Sequence, residues 1–201
     1  MPYAPEHKKS TRARIVECAR ILFNRHGYDR VTINMVMDAA QLTHGGFYNH
    51  FKSKEELFAA AVSSFLMGRG AQWRADAGID PANPTRKAAA QMLRSYLSSE
   101  HLGDLDGQCP MIALPSDVSR ASPEVQDAYH ALLGAMVGLF ESSLEGSRRR
   151  KHETALVLAA LSVGGMVLAR TLPNSALANA VRRAAHAQGA SLLKSAELAA
   201  T

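Results

Sequence analysis

The chain has 201 residues, 47% hydrophobic and 20% charged, with 23 Lys and Arg against 18 Asp and Glu, which is enough to bury a core and too apolar for a disordered chain. Residues 1–54 hold 9 basic against 4 acidic side chains and residues 55–201 hold 14 of each, so the positive excess sits in the first quarter. The N-terminus lacks a signal-peptide apolar stretch, no apolar run approaches the roughly 18–20 residues of a membrane span, and Cys18 and Cys109 stand far apart outside any CxxC spacing, so a cytoplasmic protein with reduced thiols, no membrane partner and no zinc site is expected.

Apolar residues recur at helical spacing and almost nowhere alternate as in strands, which predicts an all-α protein of about nine helices. The first runs from about Ser10 to His26, with Ile15, Cys18, Ala19, Leu22 and Phe23 on one face and Gly27 as its stop. The second opens at Thr32, whose hydroxyl suits an N-cap, turns Ile33, Val36, Met37 and Ala40 inward, and ends near Gln41. After a turn filled by Leu42, Thr43 is placed to cap a third helix in which Phe47 and Phe51, four apart, face the core. Ser53 with Glu56 three residues on has the form of a capping box, which opens a fourth helix and closes a head over residues 1–54.

Residues 55–201 are expected to form a helical body. The fourth helix reaches Trp73 or beyond, Pro81 and Pro84 break the chain, and a fifth helix spans Thr85 to about Ser98. His101 to Pro110 reads as a loop. A short sixth helix, interrupted near Pro115, leads to Ser122, Pro123 and Glu124, the cap, first-turn proline and acid of a seventh that reaches about Leu144. Two more, about His152 to Thr171 and Ser175 to Lys194, follow the basic cluster Arg148 to Lys151, and their apolar middles predict burial on more than one side.

Gly45 and Gly46 fall in the first turn of the third helix, where each costs roughly 1 kcal/mol of helix propensity relative to Ala. The missing side chains need a reason, and close approach of backbone to a groove floor or phosphate is one. Beside them stand His44, Tyr48, Asn49, His50, Lys52 and Lys54, carrying the donors that protein–DNA interfaces use on phosphates and base edges. The pattern points to the second half of a helix-turn-helix on double-stranded DNA; a loop with a solvated polar face is the plainer alternative.

The segment Arg12 to Leu57 resembles the TetR family of bacterial transcriptional repressors. The resemblance rests on Thr32 opening the second helix, Ala39-Ala40 before the turn, Gly45 early in the third helix, Tyr48-Asn49-His50-Phe51, and Ser53-Lys54-Glu55-Glu56-Leu57. Met37 stands where the family usually has Ala, and Gln41 where it usually has Gly. The resemblance implies that Thr43, His44, Gly45, Gly46 and Asn49 face base edges or sugar, and that Thr32, Tyr48, His50 and Lys54 hold phosphates. It implies a homodimer on palindromic DNA with half-sites about one helical turn apart or somewhat more. Lys8, Lys9, Arg12 and Arg14 are candidates for an arm that adds affinity without specificity, or for a solvated basic face.

The resemblance also implies that the last two helices form a four-helix interface with a second copy. Leu156, Ala159, Ala160, Val163, Val167 and Leu168 offer the contacts and Gly164 and Gly165 allow close approach, although a core within one chain would use the same residues. A small-molecule effector in the body, of unidentified class, is implied to release the operator by a population shift. Candidates for its pocket are Met67, Trp73, Met92, Tyr96, Cys109, Met111, Tyr129, Met136, Phe140 and Met166. Cys109 precedes Pro110 at an expected helix N-terminus, a position that lowers a thiol's pKa, so a repressor sensing oxidants or electrophiles stands as the alternative to a packed loop thiol. No GxSxG, HExxH, GxGxxG or P-loop is present and the eight His lack metal spacing, so neither an enzyme nor a metal or cofactor is expected. A helical adaptor that binds only protein would leave the paired glycines and the basic head unexplained.

Overall fold

The computed structural model describes residues 5–172 and 175–198, and every regular element among them is helical. The α-helices are α1 Pro5–His26, α2 Ile33–Ala39, α3 Lys54–Met67, α4 Arg69–Asp76, α5 Ala88–Tyr96, α6 Ser99–Gly103, α7 Pro110–Ala113, α8 Pro115–Val118, α9 Pro123–Ser142, α10 Arg148–Thr171 and α11 Ala176–Leu198. A 3-10 helix, His44–Asn49, lies between α2 and α3. The described helices exceed the expected nine because the breaks fall where periodicity does not mark them. Gly68 leaves the helical region (φ −100°, ψ −113°) and separates α3 from α4. The expected loop from His101 begins inside α6, which Ser98 caps through the His101 N–H, and the interrupted sixth helix is the pair of short turns α7 and α8.

These elements gather into two compact units: residues up to Arg69 with Leu105–Ala131, and Gly70–Asp104 with residues from Leu132 onward. A boundary at residue 54 does not divide them, since α3, α7 and α8 belong with the head. In the first unit α1 packs along α3 and touches α2 and α7. Its core is Ile15, Ala19, Phe23, Val36, Met37, Phe47, Phe51, Leu57 and Phe58, all buried, with the Phe23 and Phe58 rings edge to face at 4.8 Å. The chain segment before α7 is tied to α1 by polar groups. The buried Arg20 donates to the Asp106 carbonyl, Asn24 Nδ2 donates to the Gln108 carbonyl at 2.7 Å, and Arg25 pairs with the Asp106 carboxylate. Buried donors without partners are destabilising, so these bonds hold the segment in one place.

In the second unit α10 packs along α11 and against α5 and α6. Glycine permits the approach: a Cβ on Gly165 would lie 2.8 Å from the Ala185 Cβ, and one on Gly189 would lie 2.8 Å from Leu93 Cδ2. Ala155, Leu158, Ala159, Ser162, Gly165, Met166 and Ala169 form the buried face of α10. Burial on more than one side is therefore not what the single chain shows, because Leu156, Val157 and Leu168 are 45–53% exposed. Against the sequence expectation, α10 is long and apolar enough to cross a membrane by length and composition. It nonetheless buries one stripe against protein and opens with Arg148, Arg149, Arg150 and Lys151, which is the pattern of an amphipathic helix.

Candidate nucleic-acid interface

The turn that aims the site is built at the end of α2. Thr32 caps α2, its hydroxyl accepting the Met35 N–H at 3.2 Å. At the other end the Gln41 N–H bonds the Asp38 carbonyl and the Leu42 N–H reaches back to the Met37 carbonyl, both at 2.9 Å. That double closure requires a left-handed residue, normally glycine, and Gln41 supplies it at φ +54°. The turn thus forms as the family resemblance implies, with a strained residue in the glycine position.

The third helix is a 3-10 helix and not the expected α-helix. Thr43 is extended (φ −73°, ψ 145°) and its hydroxyl caps nothing there; the Gly46 N–H bonds the Thr43 carbonyl instead, at 3.0 Å. Two glycines in six residues weaken α propensity, and a short helix takes the tighter form. Phe47 and Phe51 pin it from beneath, fully buried with ring centroids 5.7 Å apart. Thr43, His44, Gly45, Tyr48 and Asn49 are left outward. Tyr48 is 62% exposed and meets the His44 ring edge to face at 6.4 Å.

Neither glycine is there for the fold. Both lie outside the positive-φ region, a Cβ on Gly45 would meet nothing within 4 Å, and one on Gly46 would meet only Met37 Cε at 3.6 Å and Thr43 Oγ1 at 3.7 Å. The chain could carry alanine at either position and gain helix propensity. Bare backbone at the outer surface of this helix is a provision for something outside the protein.

Cations flank the 3-10 helix. Ser53 caps α3 through the Glu56 N–H at 3.1 Å, and Glu56 accepts the Lys52 N–H at 2.8 Å, so the capping box is reciprocal with its return bond one residue earlier than expected. Lys54, in the first turn of α3, holds its ammonium 4.1 Å from the centroid of the Tyr28 ring. Burial pushes the Lys54 ammonium pKa down while Asp29 and Asp117 pull it up. Arg12 lies over Phe51 at 4.2 Å and 3.6 Å from Glu56. His50 is half-buried with its Nδ1 covered and without a hydrogen-bond partner; burial, then Lys8 and Arg12, hold its pKa below the ordinary value. Lys8, Lys9 and Arg14 are exposed on α1, which begins at Pro5, ahead of the expected Ser10. Tyr28, which seats Lys54, escaped the sequence reading, since a tyrosine just after a helix stop has no helical partner to mark it.

Of the pocket candidates, Trp73 and Tyr96 come together in the second unit with His101, which sequence reasoning missed. Trp73 lies 5.9 Å from Tyr96 and 5.2 Å from His101 between ring centroids, and His101 Nδ1 is 2.9 Å from the Tyr96 carbonyl. Met92, Met136, Phe140 and Met166 are buried in the same unit. In the first unit Cys109 and Met111 are buried, and the Tyr129 hydroxyl donates to the Met111 carbonyl at 3.3 Å, its pKa pushed up to about 12 by burial and then by Cys109. Met67 is 83% exposed. Cys109 is 1% exposed at the start of the four-residue α7, too short a helix to offer much of a dipole. Of the expected interface residues, Ala159 and Gly165 turn inward, whereas Leu156, Ala160, Val163, Gly164, Val167 and Leu168 lie at least partly open along α10. Among the described residues no three His, Cys, Asp or Glu side chains gather as a metal site.

Residues 15–61 match the family described as bacterial regulatory proteins, tetR family. The transposon Tn10 TetC protein of Escherichia coli is 42% identical over 62 residues, 31% of this chain and 32% of that protein. The HTH-type transcriptional repressor KstR2 of Mycobacterium tuberculosis is 30% identical over 92 residues, 46% of each chain. The matched stretches thus span less than half the length of these relatives. A solved TetR transcriptional regulator from Chloroflexus aurantiacus shares the fold, with a TM-score of 0.76 over 94% of this chain and 96% of that one at 23% identity.

Proposed function

We propose, because this chain belongs to the TetR family of bacterial regulatory proteins, that it is a dimeric transcriptional repressor, working in the cytoplasm, that holds a palindromic operator and lets it go when a small molecule occupies its body. The observation that carries this reading is Gly45, exposed on the outer face of a buried-backed 3-10 helix with Gly46 beside it, both present without any requirement of the fold. In the proposed complex Gly45 and Gly46 let the backbone approach the groove, Thr43, His44 and Asn49 face base edges or sugar, and Thr32, Tyr48, His50 and Lys54 hold phosphates and so set register.

A single head makes too few contacts for operator affinity, and two-fold symmetry supplies the second. The open stripe Leu156, Ala160, Val163, Gly164, Val167 and Leu168 recurs at helical spacing on α10 and suits a second copy of the same helix. The aromatic group of Trp73, Tyr96 and His101, with Met92 nearby in sequence, is the favoured seat for an effector of apolar character. Binding there shifts the population away from the operator-holding state. The burial of Cys109 favours this ligand-responsive reading over thiol sensing.

Selection of bound sequences from a random duplex pool tests the proposal. A palindromic winner is the expected result, and failure of any sequence to enrich would overturn it.

A further inference from the structure

A lysine in the first turn of a helix is badly placed for the helix itself, because the dipole there repels cations. Lys54 occupies that place in α3, is half-buried, and rests its ammonium 4.1 Å from the Tyr28 ring centroid. Tyr28 is in turn fixed from several sides. Its ring lies 4.9 Å from Phe58 and 6.0 Å from Phe23 between centroids, and its backbone N–H donates to Asp117 Oδ1 at 3.3 Å. Gly27, left-handed at φ +77°, ends α1 and delivers Tyr28 to this spot. The result is a flexible four-carbon side chain held in one pose beside the reading helix. Arg12 also lies over a ring, with Glu56 3.6 Å away; Asp29 and Asp117 attract the Lys54 ammonium through space, but the group that seats it is the Tyr28 ring.

We propose that Tyr28 is a positioning residue for DNA binding: its ring holds the Lys54 ammonium where an operator phosphate will meet it, so that the contact forms without first ordering a free lysine. The proposal rests on the DNA-binding reading above. An aromatic face attracts an ammonium through its quadrupole while leaving the N–H donors available to a phosphate oxygen. A carboxylate partner would compete with that phosphate; a ring does not.

The test uses the full-length protein, the duplex selected above, and affinities measured across a salt series. Tyr28→Phe keeps the ring's negative face and should bind within about twofold of wild type, whereas Tyr28→pentafluorophenylalanine keeps the shape, reverses the quadrupole and should bind about three- to tenfold more weakly. In a Lys54→Met background the two rings should bind alike. An equal penalty for fluorination with Lys or Met at position 54 would mean that the ring only packs, and would overturn the proposal whatever its effect on folding. Lys54→Met should also flatten the slope of log affinity against log salt by about 0.9, one phosphate's worth, while fluorination leaves the slope alone because the charge remains. An unchanged slope in Lys54→Met would remove the phosphate contact, and this proposal with it, while leaving the DNA reading intact. Absence of salt-sensitive duplex binding by the wild type would instead sink the DNA reading itself.

Discussion

Replacing Gln41 by glycine should make the protein more stable. Gln41 sits at φ +54° in a turn whose two closing bonds, Gln41 N–H to Asp38 and Leu42 N–H to Met37, are both 2.9 Å long and demand that backbone. An L-residue in the left-handed region costs roughly 1–2 kcal/mol; glycine removes that cost but frees the unfolded chain, which returns about 0.4–1 kcal/mol. The net gain is about 0.5–1 kcal/mol, equivalent to about 1–4 °C in Tm for a chain of this size. The Gln41 side chain is exposed, so its removal leaves no cavity to offset the gain. Urea unfolding followed by circular dichroism should rank Gln41→Gly above wild type and wild type above Gln41→Val, since a β-branched residue tolerates positive φ least. A valine variant as stable as wild type, or a glycine variant less stable, would show that the strain argued for this turn does not exist.

Gly165→Ala should destabilise the chain by about 1–3 kcal/mol through overpacking, because the new methyl meets Ala185 at 2.8 Å. Gly164→Ala puts a Cβ where nothing lies within 4 Å and should stabilise the chain by up to about 1 kcal/mol of helix propensity while weakening self-association in sedimentation equilibrium; a loss of stability at Gly164 equal to that at Gly165 would refute the division of α10 into inner and outer faces. His50 is held below its ordinary pKa by burial, then Lys8 and Arg12, so as pH falls through the unfolded value of about 6.5 the unfolded chain takes the proton first and stability drops until the folded pKa is passed. The drop between neutral and acid pH should be smaller in His50→Gln than in wild type, and an identical profile would remove the cause named. Cys109, 1% exposed, should react with a maleimide more slowly than the half-buried Cys18 in peptide mapping, even though burial pushes the Cys18 thiol up; faster labelling of Cys109 would restore thiol sensing as the leading response.

Features that depend on neighbours a few residues apart were legible in the sequence. The Thr32 cap, the Ser53 and Glu56 box, the Gly27 stop and the inward pair Phe47 and Phe51 all form between groups three or four residues apart, and each is present. The third helix was legible as an element but not as a 3-10 helix, because its form depends on how two glycines trade propensity against a buried aromatic pair. Contacts across long stretches of chain were not legible: Arg20, Asn24 and Arg25 meet residues more than 80 positions away, and nothing local in Asp106 or Gln108 announces them. The same holds, over shorter spans, for the seat of Lys54 on Tyr28 and for His101 beside Trp73. On α10 apolar residues surround the helix, and neighbours distant in sequence, such as Ala185 and Leu97 against Gly165, decide which of its faces is inside.

We propose above all that the outer face of the 3-10 helix reads DNA. The most direct test is the affinity of the selected duplex, and of a scrambled duplex, for wild type, His44→Ala, Asn49→Ala and Gly45→Leu at one fixed salt concentration. His44→Ala and Asn49→Ala should narrow the gap between the two duplexes, each by about 1–3 kcal/mol if it reads a base edge, and Gly45→Leu, whose Cβ has nothing within 4 Å, should abolish selective binding without lowering the unfolding midpoint. Full selectivity in Gly45→Leu would contradict the account, because the bare backbone on which it rests would then serve no groove.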